Sequence, residues 1–236
     1  MFNRPHHQRI AKVLETFNCA LLQEAECYFA GGTAIVLSLN EYRESVDIDF
    51  LCASNQGYRL LRNTVTSDLN TLLNTPVKHL REVRADRYGI RTVLEMDGIA
   101  IRVELVGEAR ITINGQVNPA FGVPTLSQED MFAEKLLANA DRGLDKSTMS
   151  RDIIDLAMMV AGWGDIPTPA LAKVFGAYGE HAFTAVHKSL VLIQDAAYLK
   201  SCLEKMHMEQ NLAEKIPNIL ATQIATLQQY DRSMAN

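Results

Sequence analysis

The stretch of sequence that decides the fold is FAGGTAIVLSLNEYRESVDIDF, Phe29–Phe50. The segment CYFA, which ends just before the glycine pair, predicts a short buried strand. The segment TAIVLSLN after the pair predicts a short helix that Thr33 helps to begin. In VDIDFLC, apolar and acidic residues alternate, which predicts a second strand with Asp47 and Asp49 on one face. The stretch therefore predicts a strand, a glycine turn, a helix and an acidic strand in succession.

The two acidic side chains of that strand form a candidate metal site. Carboxylates at positions i and i+2 of a strand point the same way, roughly 6–7 Å apart, and can share divalent cations. A third carboxylate from a neighbouring strand completes a two-metal site, and Glu104 in IRVELV is the candidate because it shares a face with Arg102. Glu95 is the alternative. An Asp-x-Asp pair also occurs at ordinary sheet edges and in metal-dependent glycosyltransferases, so the pair alone decides nothing.

The glycine pair is a candidate phosphate-binding turn. A phosphate needs close approach of the backbone and free N–H donors, and glycine at a strand-to-helix turn allows both. Gly31 and Gly32 stand at such a turn, and Thr33 adds a hydroxyl. Because the glycine turn directly precedes the Asp-x-Asp unit, a glycosyltransferase is disfavoured.

Composition limits the setting of this chemistry. A chain of 236 residues that is 47% hydrophobic predicts a compact protein with one sizeable core and an appended subdomain. The four cysteines form no Cys-x-x-Cys pair and no charged-then-apolar leader opens the chain, so we expect a cytoplasmic protein. The apolar runs are too short to span a bilayer, so no membrane contact is expected. A net charge of −5 disfavours broad nucleic-acid binding but permits a local basic groove.

The rest of the chain divides near residue 125. Apolar spacing predicts one amphipathic helix in the first 26 residues and another over residues 55–74. YGIRTVLEMDGIAIRVELV predicts two strands joined at Asp97-Gly98, and ARITI predicts one more. From Ser127 the period is helical, with interruptions at Gly162-Trp163-Gly164 and at two prolines. We therefore expect an α/β domain over 1–125 and a helical region over 126–236.

Two groups of polar residues receive a structural interpretation. The histidines, including His6 and His7, lack the spacing of metal ligands and are expected at the surface or in caps. A basic cluster is diluted by Glu82 and Asp86, so a solvated face is favoured over an RNA contact. The cluster comprises Lys78, Arg81, Arg84, Arg87 and Arg91.

In combination, the motifs resemble a known signature. Gly31-Gly32-Thr33, a short helix, Arg43, Ser45 and Asp47-Ile48-Asp49 resemble the nucleotidyltransferase superfamily, and most closely the AbiEii-type toxin family. Further on, LSQEDMFAEKLLANADRG followed by RDIIDLAMM resembles the second block of that family. The resemblance covers residues 29 to about 160.

The resemblance implies an α+β fold, with a small mixed-sheet nucleotidyltransferase core followed by a mainly helical C-terminal region. The implied catalytic residues are Asp47, Asp49, Glu104 and Asp152, with the first three as metal ligands and Asp152 as a general base. The implied nucleotide-binding residues are Gly31, Gly32, Thr33, Arg43, Ser45, Lys135 and Arg151. Lys135 is expected to contact the phosphates, a role that suits a point charge. An ordinary salt-bridge set between helices is the alternative for Lys135, Arg151, Asp152 and Asp155.

The implied activity is transfer of a nucleoside monophosphate from an NTP to an acceptor hydroxyl, with release of pyrophosphate. Two Mg²⁺ ions are the expected cofactors, with Mn²⁺ as an alternative. The implied setting is a bacterial toxin that modifies RNA, such as the acceptor end of tRNA, or a protein hydroxyl, and that is opposed by a separate antitoxin. The competing hypothesis is a non-catalytic nucleotide- or partner-binding module on the same fold.

Overall fold

A computed structural model describes residues 2–234, apart from the side chains of Ser67, Leu69 and 231–234. The chain forms two compact units. The first contains the residues up to Glu41 together with Ser45–Ser127, and the second contains Tyr42–Glu44 and the residues from Gln128 onward. The predicted α+β class, a small mixed sheet followed by a mainly helical region, is confirmed.

The first unit holds a mixed sheet and the helices that cover it. The described part of the chain contains seven strands: β1 (Cys27–Ala30), β2 (Ile48–Cys52), β3 (Lys78–Ala85), β4 (Ile90–Met96), β5 (Ile99–Gly107), β6 (Gly115–Asn118) and β7 (Val123–Leu126). The helices of this unit are α1 (Pro5–Thr16), α2 (Cys19–Glu24), α3 (Gly31–Ser38) and α4 (Asn55–Ser67), followed by a short 3₁₀ turn, Leu69–Leu72.

The strand order is β3-β4-β5-β2-β1-β7-β6. The pairs β2–β5 and β1–β7 are parallel, and the other neighbours are antiparallel. Along β2, Ile48 and Phe50 are buried while Asp49 between them is half-buried. On β5, Val103 and Leu105 are buried in the same way. Because side chains alternate along a strand, the apolar residues form the core face and the acidic residues share the opposite face.

The predicted single helix over the first 26 residues is wrong. Helix α1 ends at Thr16, and Asn18 begins the separate helix α2 by accepting a hydrogen bond from the backbone N–H of Leu21 at 3.1 Å. The predicted start of the helix after β1 is also corrected, because α3 begins at Gly31 rather than at Thr33. Strand β1 and helix α3 therefore meet without a linker.

The predicted hairpin at Asp97-Gly98 is confirmed: both residues have positive φ, 52° and 78°, as a type I′ turn requires. The helix predicted over 55–74 ends earlier, at Ser67. The strand predicted for ARITI is wrong, because the buried carboxylate of Glu108 accepts the backbone N–H of Ile111 at 3.3 Å and turns the chain. Strands β3, β6 and β7 lie where no strand was predicted.

The second unit is helical. Its helices are α5 (Gln128–Arg142), α6 (Arg151–Trp163), α7 (Thr168–Tyr178), α8 (Glu180–Ile193), α9 (Ala196–Lys205) and α10 (Leu212–Met234), with a 3₁₀ turn at Lys146–Thr148. Helix α5 packs against α6, α7 and α8, and α10 packs against α6, α8 and α9. The predicted interruption is confirmed, since α6 ends at Trp163 and Gly164 has a φ of 98°. Within residues 2–234, no helix combines the length and the apolar character that a membrane crossing requires.

Candidate active site

The glycine turn of the first unit lies directly against the acidic strand. Ala30, the last residue of β1, pairs with Asp49 of β2, and Gly31 then begins α3 with a φ of 72°. An added Cβ at Gly31 would stand 2.7 Å from Asp49 Oδ2, closer than side-chain atoms approach. Both the backbone conformation and the contact therefore require glycine at this position. The positive φ belongs to Gly31, and Gly32 lies within the first turn of α3.

This contact gives a test with a matched control. Gly31→Ala should lower the free energy of unfolding by about 1–3 kcal/mol through backbone strain and also displace the Asp49 carboxylate. Gly98→Ala carries the same strain, with a φ of 78°, but its added Cβ would meet nothing within 4 Å. We expect both variants to lose stability and Gly31→Ala alone to lose nucleotide transfer. Equal transfer activity in the two variants would show that the Gly31–Asp49 contact has no functional role.

The three candidate metal ligands share one face of the sheet. Asp49 of β2 pairs with Glu104 of β5, and Asp47 immediately precedes β2, beside Arg102. Glu95 pairs instead with Ala100, further along the hairpin. Strand register thus brings Glu104, rather than Glu95, to the position facing Asp49.

Asp47 and Glu104 are paired with arginines. Arg102 Nε lies 3.4 Å from Asp47 Oδ1, and Arg91 Nε donates to Glu104 Oε1 at 2.6 Å. The Asp47 and Glu104 side chains are each 39% exposed, so these are solvated ion pairs, worth about 0–1 kcal/mol each. Such weak pairs exchange readily for other partners.

Two features suit this face of the sheet to Mg²⁺: the carboxylate oxygens and the strand register that brings them together. Carboxylate oxygens are the ligands that Mg²⁺ prefers, and the register gathers three of them on adjacent strands. As the side chains stand, no three His, Cys, Asp or Glu residues in the described part of the chain are grouped closely enough to hold a metal ion. The donor set therefore fits the ion by type, and binding would require these side chains to move closer together.

A largely shielded hydrogen-bond chain, buried at its His7–Glu41 end, holds the segment before β2. Thr33 Oγ1 donates to the carbonyl oxygen of Asp47 and accepts from the hydroxyl of Ser45 at 2.8 Å. The N–H of Ser45 donates to Nε2 of His7 at 3.1 Å, so Nδ1 carries the proton and donates to Glu41 Oε1 at 2.8 Å. Thr33 and Ser45, both predicted site residues, therefore set the position of the Asp47 backbone.

His7 corrects the prediction that the histidines lie at the surface or in caps, because its ring is fully buried. Burial holds its pKa below the ordinary value, against the opposing influence of the Glu41 carboxylate. Burial alone would raise the pKa of Glu41. The N–H donors of Asn3, Arg4 and His7 outweigh burial and hold the pKa of Glu41 below its usual range. Helical spacing in the sequence could have indicated that His7 is buried, because His7 lies on the same stripe of α1 as Ile10 and Leu14.

His7→Ala should lower the free energy of unfolding by roughly 2–4 kcal/mol, since it leaves a cavity and two polar groups without their partner. The exposed His181→Ala serves as a control and should melt like the wild type. Because the folded-state pKa of His7 is lowered, its contribution to stability is present above about pH 6.5 and declines as the pH falls below that value. Melting curves across this range measure both effects, and an unchanged melting temperature in His7→Ala would contradict them.

The second unit contains a buried ion-pair network, which we call the α5–α6 network. Lys135 Nζ of α5 lies 2.9 Å from Asp152 Oδ1 and 2.7 Å from Asp155 Oδ2, both on α6. Arg43 donates from Nε and Nη2 to the two oxygens of Asp155 at 2.7 and 2.8 Å, and Arg142 Nε lies 2.7 Å from Asp152. The network therefore places three cations around two carboxylates.

Electrostatics keeps the network charged. Burial opposes ionisation of Asp155, but Arg43 and Lys135 outweigh it and lower its pKa to about 2. Burial likewise opposes ionisation of Asp152, and Lys135 with Arg142 holds its pKa well below the usual range. A carboxylate with so low a pKa is a weak base near neutral pH.

The roles predicted for these residues stay predictions. Lys135 and Arg43 are each only 5% exposed and are bonded to carboxylates, which supports a structural role over direct phosphate contact. The low pKa of Asp152 likewise gives no support to a general base. Arg151 is the first residue of α6 and is half-buried. This arrangement matches the salt-bridge alternative considered for the helical region.

Three solved structures share the fold of this chain. JHP933 from Helicobacter pylori matches with a TM-score of 0.53 and 17% identity over 100% of this chain and 98% of its own. A candidate nucleotidyltransferase from H. pylori matches with a TM-score of 0.55 and 17% identity over 94% and 95%. An antigenic nucleotidyltransferase-like protein from Paracoccidioides brasiliensis matches with a TM-score of 0.50 and 18% identity over 84% and 93%. At these identities the likeness shows the shared fold.

The family follows from a sequence model. The chain belongs to the family described as nucleotidyl transferase AbiEii toxin, type IV TA system, whose model matches residues 12–232. The predicted family is thereby confirmed, and the match extends through the C-terminal helices beyond the motifs of residues 29–160. No curated protein matches the chain significantly.

Proposed function

We propose that this protein transfers a nucleoside monophosphate from an NTP to a hydroxyl of an RNA acceptor. The observation that carries the proposal is the pairing of Asp49 with Glu104, beside Asp47 and against the Gly31 turn. This constellation sits on the fold of a nucleotidyl transferase family. In the reaction, the acceptor oxygen bonds to the α-phosphorus of the NTP, the bond to the departing pyrophosphate breaks, and the hydroxyl proton leaves to solvent.

Each part of the site has a role in this proposal. Asp47, Asp49 and Glu104 would hold two Mg²⁺ ions, with Mn²⁺ as an alternative. When bound, these ions neutralise phosphate charge and lower the pKa of the attacking hydroxyl. The N–H groups at the start of α3, from Gly31 and Gly32, receive the phosphates, because a helix N-terminus favours anions. Thr33 and Ser45 fix the Asp47 backbone through the hydrogen bonds described above.

The family description supports a toxin whose activity is opposed by an antitoxin. We propose the bacterial cytoplasm as its place of action. The acceptor proposed is RNA, such as the acceptor end of tRNA, with a protein hydroxyl as the competing acceptor. The competing function is a non-catalytic nucleotide- or partner-binding module. The observation that favours that competitor is that arginines contact Asp47 and Glu104, although these solvated pairs are weak.

The test incubates the protein with each α-phosphate-labelled NTP and Mg²⁺, together with total RNA or total protein. We expect label to enter RNA with one or more NTPs, and EDTA to abolish it. Label in protein instead would replace the acceptor but keep the reaction. No transfer to either acceptor with any NTP, in Mg²⁺ or Mn²⁺, would favour the non-catalytic module.

A further inference from the structure

The arginines of the open sheet face stand in two rows that lead to the candidate metal ligands. In the first row, Arg81 of β3 pairs with Val93 of β4, which pairs with Arg102 of β5, beside Asp47. Each row begins at the edge strand β3 and ends at an acidic residue in or beside β2.

The second row repeats this order of charges. Arg84 of β3 pairs with Arg91 of β4, which pairs with Glu104 of β5, which in turn pairs with Asp49. Positive charge thus lies towards the edge strand and negative charge towards the centre of the sheet.

A groove follows the first row. It has a volume of about 510 Å³ and contains the side chains of Asp47, Arg81 and Arg102. Its apolar lining is Val46, Leu80, Val93 and Ala100. Val46 and Leu80 are 44% and 42% exposed, so this lining is open to a ligand. We call this the β3–β5 groove.

The cations of the groove are available to a ligand. Arg81 is exposed and has no carboxylate partner among the described residues. The Arg102 side chain is 77% exposed, and its contact with Asp47 is long, at 3.4 Å. In the turn between β3 and β4, next to the Arg84–Arg91 pair, Tyr88 is 63% exposed and Arg87 lies 4.5 Å from the centroid of its ring.

We propose that the β3–β5 groove binds the single-stranded end of an RNA acceptor, with its phosphates on Arg81 and Arg102 and its terminal hydroxyl directed towards Asp47. Guanidinium groups bind phosphate in a bidentate manner, and an apolar floor suits sugars and base faces. Tyr88, in the turn beside Arg84 and Arg91, offers an exposed ring on which a base can stack. The proposal rests on the function proposed above, since only a transferase needs an acceptor hydroxyl beside these carboxylates.

Charge complementarity favours RNA over other ligands of this face. The chain as a whole carries a net charge of −5, which repels a polyanion, so attraction must be local. In the basic cluster Lys78, Arg81, Arg84, Arg87 and Arg91, for which a solvated face was predicted, Lys78, Arg84 and Arg91 are paired with Glu95, Asp86 and Glu104. The local positive charge that a ligand meets in the groove therefore comes from Arg81 and Arg102. A hydroxyl carried by an acidic protein segment is the competing occupant, which the test below distinguishes.

The experiment measures fluorescence anisotropy of a labelled single-stranded RNA of about ten nucleotides, in EDTA, at several salt concentrations. Arg81→Glu should weaken binding at least tenfold and reduce the slope of log affinity against log salt by about 0.7, the contribution of one phosphate contact on a single strand. Arg59→Glu, an exposed charge reversal on α4 outside the groove, is the matched control and should change binding little. The melting temperature of Arg81→Glu should equal that of the wild type.

The outcomes separate this inference from the proposed function. RNA binding that Arg81→Glu leaves unchanged, or that Arg59→Glu weakens equally, overturns the groove as the acceptor site even if nucleotide transfer occurs. Label that enters only protein, with no RNA binding by the wild type, overturns it as well. If Arg81→Glu loses RNA binding but no variant transfers nucleotides, the groove stands as an RNA site and the proposed transferase function fails.

Discussion

Asp49→Asn should reduce nucleotide transfer by a factor on the order of 10³ or more. A metal ligand contributes several kcal/mol to stabilisation of the transition state, and each 1.4 kcal/mol is a factor of ten in rate. The substitution keeps the size of the side chain, so its packing against Gly31 is retained. Initial rates with a labelled NTP and excess acceptor RNA measure the effect.

Asp97→Asn is the control for this prediction. Asp97 lies in the exposed turn between β4 and β5, where it pairs with Lys12 at 2.8 Å, and asparagine tolerates its positive φ. The control should transfer nucleotides like the wild type. If Asp49→Asn retains more than about a tenth of the wild-type rate, Asp49 does not hold a catalytic metal.

Asp155→Ala should lower the free energy of unfolding by about 3–5 kcal/mol, because it leaves Arg43 and Lys135 buried with their shared carboxylate removed. The hydroxyl of Tyr42, which donates to Asp155 at 2.7 Å, also loses its acceptor. The expected fall in melting temperature is on the order of 10 °C. Asp141→Ala, an exposed carboxylate on α5, should cost less than about 1 kcal/mol. A melting temperature within a degree or so of wild type in Asp155→Ala would contradict a structural role for the α5–α6 network.

The Asp155 carboxylate should also account for part of the protein's loss of stability at low pH. The pKa of Asp155 is about 2 in the folded protein, below the ordinary value of 3.8, so the unfolded chain binds the proton more readily. The stability that this group contributes is complete above about pH 4 and is lost as the pH falls towards about 2. Asp155→Ala should therefore show a shallower loss of stability than wild type over that interval.

The local part of the fold could be predicted from the sequence because its signals are local. Alternation along VDIDFLC predicts β2, and Asp97-Gly98 predicts the β4–β5 hairpin. The same alternation in IRVELV puts Glu104 on the acidic face. The family motifs, read with these elements, identify the family that the sequence model confirms.

The missed elements carry no such local signal. Strand β3, with the sequence KHLREVRA, is an edge strand with exposed residues on both faces, so its hydrophobicity does not alternate. Strands β6 and β7 have four residues each and depend on distant partners, such as the parallel pairing of Phe29 with Thr125. ARITI has strand-like composition, but the Glu108 side chain accepts the hydrogen bond that turns the chain there.

The sequence predicts which residue types form the candidate site, but it does not predict which residues those side chains contact. Sequence spacing puts Asp47 and Asp49 on one face, but the arginines that pair with Asp47 and Glu104 come from register across three strands. Likewise, Arg43 reaches Asp155 across more than a hundred residues of sequence, which no local pattern encodes. Long-range pairing therefore places Asp47 and Glu104 in solvated ion pairs and Arg43 and Lys135 in buried ones.

The most direct test of the proposed metal and nucleotide site is one set of melting curves. Wild type and Asp49→Asn are each melted in EDTA and in Mg²⁺ with NTP at about 100 times its dissociation constant. In wild type, the ligands should add about 2.7 kcal/mol and raise the melting temperature by roughly 5–10 °C. In Asp49→Asn that rise should vanish, while the EDTA curve should match or exceed wild type, because removing one of three neighbouring carboxylates relieves repulsion of roughly 1 kcal/mol. A lower melting temperature of the variant in EDTA, with the full ligand-induced rise preserved, would contradict the assignment of Asp47, Asp49 and Glu104 as the metal site of a nucleotidyltransferase.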